Sequence, residues 1–528
     1  MKNKSYPLYE IAPRVSSVSD MIKQKAGSMP DKIAFKYRKG RENIESKTYG
    51  QVYHEVQTAA CWIDQNYGRG NHIAIIGENS YEWLVAFLGT LASGNVAVPI
   101  DKELPAGEVE WLIRKADVNA VFISKSYQDL VENLTDLKVM TLKGLQGMKG
   151  EDSENYLLYE PQGEELACIF FTSGTSGRSK GVMLTHGNIA SEIYGPSCLF
   201  DPEGDSTCAV LPFHHAFGLN VAILMAYNYG VTIFINKSLK RVKEDILLAR
   251  PQVLMLVPMF IEVFYKQIME GIKKSGKMDQ VRKGVRLSNL MLKVGIDKRR
   301  TFFKEILDNF GGELKYIISG GAHLDPFYVK AFRDWGIEIR NGYGTTECSP
   351  CVAINRNYYN RDGSVGQLIE GTQARAAEDG EIQLKGSVVM KGYYNDPEAT
   401  AEVLQDGWYS TGDLGYVDKD GFLFLTGRKK NLIILSNGEN ISPEELENDI
   451  HLDPAVNEVL VYDKDSKIIA EIYPEEEYMG NEDYFNNLVN EVNKGRPAYK
   501  QIAKVVLRDT EFIKNSSKKI VRYKNIPR

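Results

Sequence analysis

The apolar positions of this chain gather into short runs separated by longer amphipathic stretches. Residues 72–76, 96–100, 120–123, 166–171, 208–211, 231–235, 253–257 and 314–318 each read as a strand. Residues 81–91 read as a helix between two of them. Strand and helix alternate from about Lys32 to Gly342, which predicts an α/β architecture with largely parallel sheets. Between Gly366 and Thr426 the pattern changes to glycine-punctuated β structure, with turns at Asp406-Gly407 and Asp420-Gly421. After Arg428, Lys429 and Lys430 a smaller α+β unit begins. Ser442, Pro443, Glu444 and Glu445 predict a helix start there: a hydroxyl cap, a proline in the first turn, and carboxylates at the positive end of the dipole.

Size requires more than one core, since 528 residues exceed what a single domain holds. A composition of 43% apolar and 25% charged residues is that of a globular protein. A net charge of −6 excludes a nucleic-acid binder of the basic kind. No apolar run is long enough to span a bilayer; residues 221–235 are interrupted by Asn228 and Gly230. Peripheral contact with a membrane stays open. Residues 1–14 are polar and carry no secretory signal, so a cytoplasmic enzyme is expected. Cys348 and Cys351 have the spacing of half a zinc site, but no second pair matches them, and all six cysteines read as reduced thiols. Residues 271–304 are rich in Lys and Arg and read as a solvated helix face.

Candidate chemistry begins directly after the run 166–171. Thr172, Ser173, Gly174, Thr175, Ser176, Gly177, Arg178, Ser179 and Lys180 combine glycines, which free backbone N–H groups, with hydroxyls and a cation. Such a loop holds phosphates; the bland reading is a flexible surface loop. It is not the common P-loop, because Arg178 follows Gly177 and Gly181 follows Lys180. A second segment is Asn341, Gly342, Tyr343, Gly344, Thr345, Thr346 and Glu347. An aromatic between glycines can stack on a base, and the carboxylate beyond it can meet Mg²⁺; otherwise it is a tight turn. Residues 409–413 and 426–430 supply Asp413, a group suited to vicinal ribose hydroxyls, and Arg428. Residues 515–522 read as a basic tail.

In this order, the five segments resemble the acyl-adenylate-forming superfamily of acyl-CoA synthetases, peptide-synthetase adenylation domains and luciferases. The resemblance covers nearly the whole chain. Residues 303–324 and 436–443 are most similar to the long-chain fatty acyl-CoA synthetase branch. It implies an N-terminal AMP- and acyl-binding domain of residues 1–429, built of α/β layers and a β subdomain, and a small mobile α+β domain of residues 430–528. It also implies roles. Thr172 to Lys180 embrace the triphosphate of ATP. Tyr343 stacks on adenine, with Asn341 at its edge and Gly320, Gly321 and Ala322 lining the pocket. Gly342, Gly344, Thr345 and Thr346 complete the nucleotide site. Glu347 with Thr172 holds Mg²⁺, and Asp413 takes the ribose beside Arg428. Lys519 bridges acyl carboxylate and α-phosphate, and Lys430 is the hinge. His215, Phe217 and Gly320 stand at the acyl pocket; for His215 a packed core histidine is the competing reading. Ser179 replaces a usual proline and Lys518 a usual glycine.

The implied activity is ATP-dependent activation of a carboxylic acid, a medium- or long-chain fatty acid, through an acyl-AMP intermediate. Transfer to coenzyme A as co-substrate follows. One alternative is a free-standing enzyme that loads an acyl or amino acid onto a carrier-protein phosphopantetheine thiol. Residues 216–220 carry no aspartate to anchor an α-ammonium, which counts against an amino acid. The alternative of another class is a non-catalytic nucleotide-binding protein; Lys519, Glu347 and Asp413 together count against it.

Overall fold

The computed structural model describes residues 8–40, 43–148, 150–172, 179–434, 440–464, 467–514 and 520–526. It is a mixed α/β structure in two compact units, Met1–Gln373 with Leu384–Tyr409, and Ala374–Gln383 with Ser410–Arg528.

The first unit holds two sheets. One has the strand order Gly392–Tyr393, Lys180–Thr185, Leu166–Thr172, Val96–Ile100, His72–Ile76, Val118–Ile123, Lys138–Thr141. Its last five strands pair in parallel, and its first two are antiparallel additions. The parallel strands are nearly continuous apolar runs because helices cover both faces. Tyr81–Ala92 is one such helix. The Ser80 side chain caps it by accepting from the Trp83 N–H, and every residue except Glu82 is buried. It lies between the helix Tyr49–Tyr67 and the strands His72–Ile76 and Val96–Ile100, the setting for a helix that is apolar all round.

The second sheet runs Gly366–Leu368, Ala353–Ile354, Glu338–Tyr343, Tyr316–Ser319, Val253–Leu256, Ser206–Ala209, Thr232–Ile235, Ile33–Lys39, Asn43–Thr48. From Glu338–Tyr343 to Ile33–Lys39 all pairs are parallel. Ligands of such sheets bind beyond the carboxyl ends of the strands, and there Thr172, Ser319 and Tyr343 stand. The expected runs 208–211 and 314–318 are offset from the strands found. Val210, Leu211 and Leu314 are buried but lie outside Ser206–Ala209 and Tyr316–Ser319. Their apolarity reports burial rather than strand pairing.

Thr372–Ala376, Glu381–Gly386, Trp408–Val417 and Phe422–Arg428 follow one another in a sheet, and the second unit holds their residues 374–376, 381–383, 410–417 and 422–428. The chain then builds a three-stranded sheet of Val456–Lys464, Lys467–Pro474 and Lys504–Leu507. Leu446 and Ile450 of the helix Pro443–His451 join Val461, Ile472 and Phe485 in its core. That helix starts where expected, with Pro443 in its first turn and Glu444 and Glu445 behind it, but the Ser442 hydroxyl does not cap it. It donates to Glu444 Oε2 at 2.8 Å, because the nearby carboxylate outcompetes the backbone for it.

A buried histidine makes the first unit sensitive to acid. His186 opens the helix His186–Tyr194, is 2% exposed, and its Nδ1 has no hydrogen-bond partner among the described residues. Burial lowers its pKa to about 4, with Glu165 pulling weakly the other way. An unfolded histidine protonates near 6.5. Between those values the unfolded chain takes up a proton that the folded chain refuses, so stability falls as pH falls through the window. The loss should reach about 3 kcal/mol. Denaturant titrations at pH 7 and pH 4 should show His186→Gln losing less stability than the wild type by that amount; equal losses would contradict the assignment.

Candidate active site

The antiparallel pair Leu166–Thr172 and Lys180–Thr185 sets Thr172 opposite Lys180, so the loop between them leaves and returns at one point. Ser173, Gly174, Thr175, Ser176, Gly177 and Arg178 lie outside the described residues. On its other edge Lys180–Thr185 pairs with Gly392–Tyr393. Lys180 Nζ stands over the Tyr393 ring, 4.8 Å from its centroid. The Tyr393 hydroxyl donates to Glu347 Oε1 at 2.9 Å. Burial, then the Glu347 charge, raises the Tyr393 pKa, which keeps the phenol a donor. The Met390 N–H donates to the Glu347 carbonyl at 2.8 Å, at the turn Thr346–Cys348. Loop base, cation, phenol and carboxylate thus form one connected line.

Two parallel strands end beside each other with Ser319 opposite Asn341. Ser319 Oγ and Asn341 Oδ1 are buried without a hydrogen-bond partner among the described residues. Such acceptors are costly to leave unmet and point to a ligand donor. Gly342 and Tyr343 close the strand Glu338–Tyr343, with Tyr343 half-buried opposite Ala353. A Cβ on Gly344 would lie 1.5 Å from the Pro350 carbonyl oxygen, so only glycine lets the chain turn there toward Thr345, Thr346 and Glu347. Gly320, Gly321 and Ala322 leave the strand Tyr316–Ser319 at the same end of the sheet.

The segment after Ser206–Ala209 approaches this point. His214 is largely enclosed, its side chain 12% exposed. Burial, then His215, drives its pKa well below the ordinary value. Its Nε2 lies 3.5 Å from Asp101 Oδ2, a contact of a neutral ring rather than an ion pair. His215 is half-buried, its ring centroid 4.3 Å from that of His214. Phe217 begins a π-helical stretch, Phe217–Met225, and a Cβ on Gly320 would meet its ring at 3.2 Å. Asn220 Nδ2 donates to the Ser349 carbonyl at 2.7 Å and ties this stretch to the chain just beyond Glu347.

In the second unit, Asp413 and Arg428 face each other across the antiparallel pair Trp408–Val417 and Phe422–Arg428. Arg428 Nε donates to Asp413 Oδ1 at 2.7 Å, and Asp413 is buried. Thr411 Oγ1 accepts the Asp413 N–H and donates to the Ile382 carbonyl, and Glu381 accepts the Gly412 N–H. Lys429 bridges Asp379 and Glu381 at 2.6 and 2.8 Å, and these bonds, that to Asp379 first, raise its pKa. Asn431 Nδ2 donates to Glu444 Oε1 at 2.5 Å. Exposed Lys430 is therefore bracketed by two anchored neighbours. Lys518 and Lys519 lie outside the described residues. Cys348 and Cys351 are free thiols, and no cluster of His, Cys, Asp or Glu among the described residues forms a metal site.

A strand-closed loop base, a carboxylate and unmet polar atoms gather at strand ends of the first unit of this α/β protein. The chain belongs to the AMP-binding, adenylate-forming superfamily. Residues 22–394 match the AMP-binding enzyme family and residues 430–526 the AMP-binding enzyme C-terminal domain. The superfamily's shared chemistry is ATP-dependent adenylation of an acid. Among its relatives, a long-chain-fatty-acid–CoA ligase of Mycobacterium tuberculosis is 28% identical over 458 residues, 78% of this chain and 74% of that one. Long-chain-fatty-acid–CoA ligase 5 of Rattus norvegicus is 28% identical over 531 residues, 89% of this chain and 75% of that one. The fold is shared with o-succinylbenzoate CoA synthetase of Bacillus subtilis, solved with its acyl-adenylate intermediate. Its TM-score is 0.77 at 23% identity, over 95% of this chain and 97% of that one.

Tyr393 escaped the sequence reading. Its only signal is an aromatic after Gly392 in a two-residue strand, too short to show a pattern. The tight backbone at Gly344 gives a test of the site's construction. Gly344→Ala should lower stability by about 1–3 kcal/mol through forced backbone displacement, measured by thermal or denaturant unfolding. An unchanged midpoint would show that the turn has room the geometry denies.

Proposed function

We propose that this protein joins a fatty acid to coenzyme A in two steps, with ATP as the activating substrate. The observation that carries the reading is the line from Thr172 and Lys180 through Tyr393 to Glu347, beside the unmet oxygen of Asn341. The fatty acid–CoA ligase relatives support the acid and the acceptor.

In this reading Thr172 to Lys180 surround the triphosphate. Tyr343 stacks on adenine, and Asn341 Oδ1 accepts from the exocyclic amine. Gly320, Gly321 and Ala322 border the base, and Thr345 and Thr346 face the α-phosphate. The oxygen donors Glu347 and Thr172 are the kind Mg²⁺ takes; the ion, when bound, neutralises phosphate charge. Asp413 receives the ribose hydroxyls, oriented by Arg428. Phe217, His215 and Gly320 border the acyl chain. Lys519 neutralises the acid and the α-phosphate as they approach. A carboxylate oxygen bonds to the α-phosphorus while the bond to the β-phosphate bridge breaks, and pyrophosphate leaves. A thiol then attacks the acyl carbonyl and AMP departs. Both steps need positioning and charge neutralisation more than covalent help from the protein. Residues 430–528 act as the mobile domain, turning at Lys430 to exchange Lys519 for the thiol between steps.

A pyrophosphate-release screen over acids of varied length, with CoA or a carrier protein as acceptor, tests substrate and acceptor. Long-chain acids with CoA are expected to give the highest kcat/KM. A preference for short or aromatic acids would overturn the fatty-acid assignment, and thioester formation only on the carrier would replace the acceptor.

Asp413→Ala should weaken binding of a non-hydrolysable ATP analogue by about 10- to 100-fold in calorimetry, because charge-assisted bonds to two hydroxyls are lost. Unchanged affinity would leave Asp413 as a structural partner of Arg428.

Lys430→Pro fixes φ at the proposed pivot. Acyl-AMP should accumulate while thioester formation falls by about 100-fold or more, or the reverse if proline favours the other state. Wild-type rates for both half-reactions would refute the pivot.

A further inference from the structure

The basic segment 271–304 plays no part in the site. It holds eleven Lys and Arg against two Asp, in a chain whose net charge is −6. Its centre is the helix Met278–Lys293. One stripe of this helix faces the protein: Ser288 is buried, and Val281, Val285 and Met291 are half-buried. The helix packs on Pro258–Lys274, Arg299–Phe302 and Pro326–Asp334. The opposite stripe, at spacings of three and four residues, carries Lys283, Arg286, Leu287, Leu290 and Lys293, with Val294 at its C-cap and Asp279, beside Arg282, at its start. Leu287, Leu290 and Val294 are 51, 62 and 73% exposed. Among the described residues none of the three cations has an ion-pair partner.

Single exposed leucines need no explanation, but aliphatic side chains on successive turns of one stripe do. Unpaired cations on the same stripe select an anionic partner. We propose that this helix face docks on an anionic phospholipid surface. Aliphatic and cationic side chains alternate along the stripe rather than separating into a pocket and a rim. That arrangement suits a plane in which the leucines enter the acyl boundary while Lys and Arg reach back to the headgroups. A protein partner would instead need a groove shaped for this ridge. The inference is independent of which acid is activated.

The test is co-sedimentation of the full chain with vesicles of phosphatidylcholine alone, and with an equimolar phosphatidylglycerol mixture. Binding to the anionic vesicles, weakened by salt, is expected. The triple variant Lys283→Ser, Arg286→Ser, Lys293→Ser should bind about 100-fold more weakly, roughly fivefold per cation at about 1 kcal/mol each. Leu287→Ser with Leu290→Ser should also lose binding while keeping the wild-type Tm. A polarity-sensitive fluorophore on Val294→Cys should shift to the blue only with anionic vesicles, which tests the site without removing a leucine or a cation. No binding, equal binding to both vesicles, an unshifted fluorophore, or a triple variant that binds like wild type would each overturn the proposal. So would a stoichiometric complex with an acidic protein in the absence of vesicle binding.

Discussion

The pairing of Thr172 with Lys180 across two short antiparallel strands governs the arrangement of the first unit's site. It closes the candidate phosphate loop at its base and points the lysine toward Tyr393. A slip of one residue in this register would turn Lys180 to the other face of the sheet. The phenol would then lose its cation, and Glu347 would lose its organised neighbour. The register is secured from both sides, by the buried strand Leu166–Thr172 and by Gly392–Tyr393. A site that gathers phosphate charge needs cations and donors fixed before the ligand arrives, since reorganising them would consume binding energy. Strand pairing supplies that fixity where a loop alone would not.

The α/β class was legible because parallel strands covered on both faces are written as unbroken apolar runs. Residues 72–76 and 96–100 are strands with those bounds. The pattern was less informative where burial and pairing part company, as at Val210 and Leu211. As candidates, Tyr343, Glu347 and Asp413 stand out in the sequence because glycines and hydroxyls cluster around them. Tyr393 was not, because its role comes from pairing with a strand more than two hundred residues earlier in the chain. The failure at Ser442 is similar in kind: residue type predicts a cap, but a neighbouring carboxylate takes the hydroxyl.

The proposed pivot of the second unit would be built from ordinary parts. Lys429 is held by two carboxylates and Asn431 by a third, and among the described residues the Lys430 side chain between them has no ion-pair partner. Anchoring on both sides confines a backbone change to few residues, which is what a hinge requires. The buried Asp413–Arg428 pair has a comparable logic: a rigid β ladder fixes a carboxylate whose proposed partner is a flexible ribose.

The proposed chemistry is transfer of adenylate rather than phosphate. Incorporation of labelled pyrophosphate into ATP tests it most directly. Exchange is expected to require both Mg²⁺ and a carboxylic acid, to proceed without CoA, and to disappear in Glu347→Ala. Release of ADP and phosphate, or exchange that is indifferent to the acid, would contradict it.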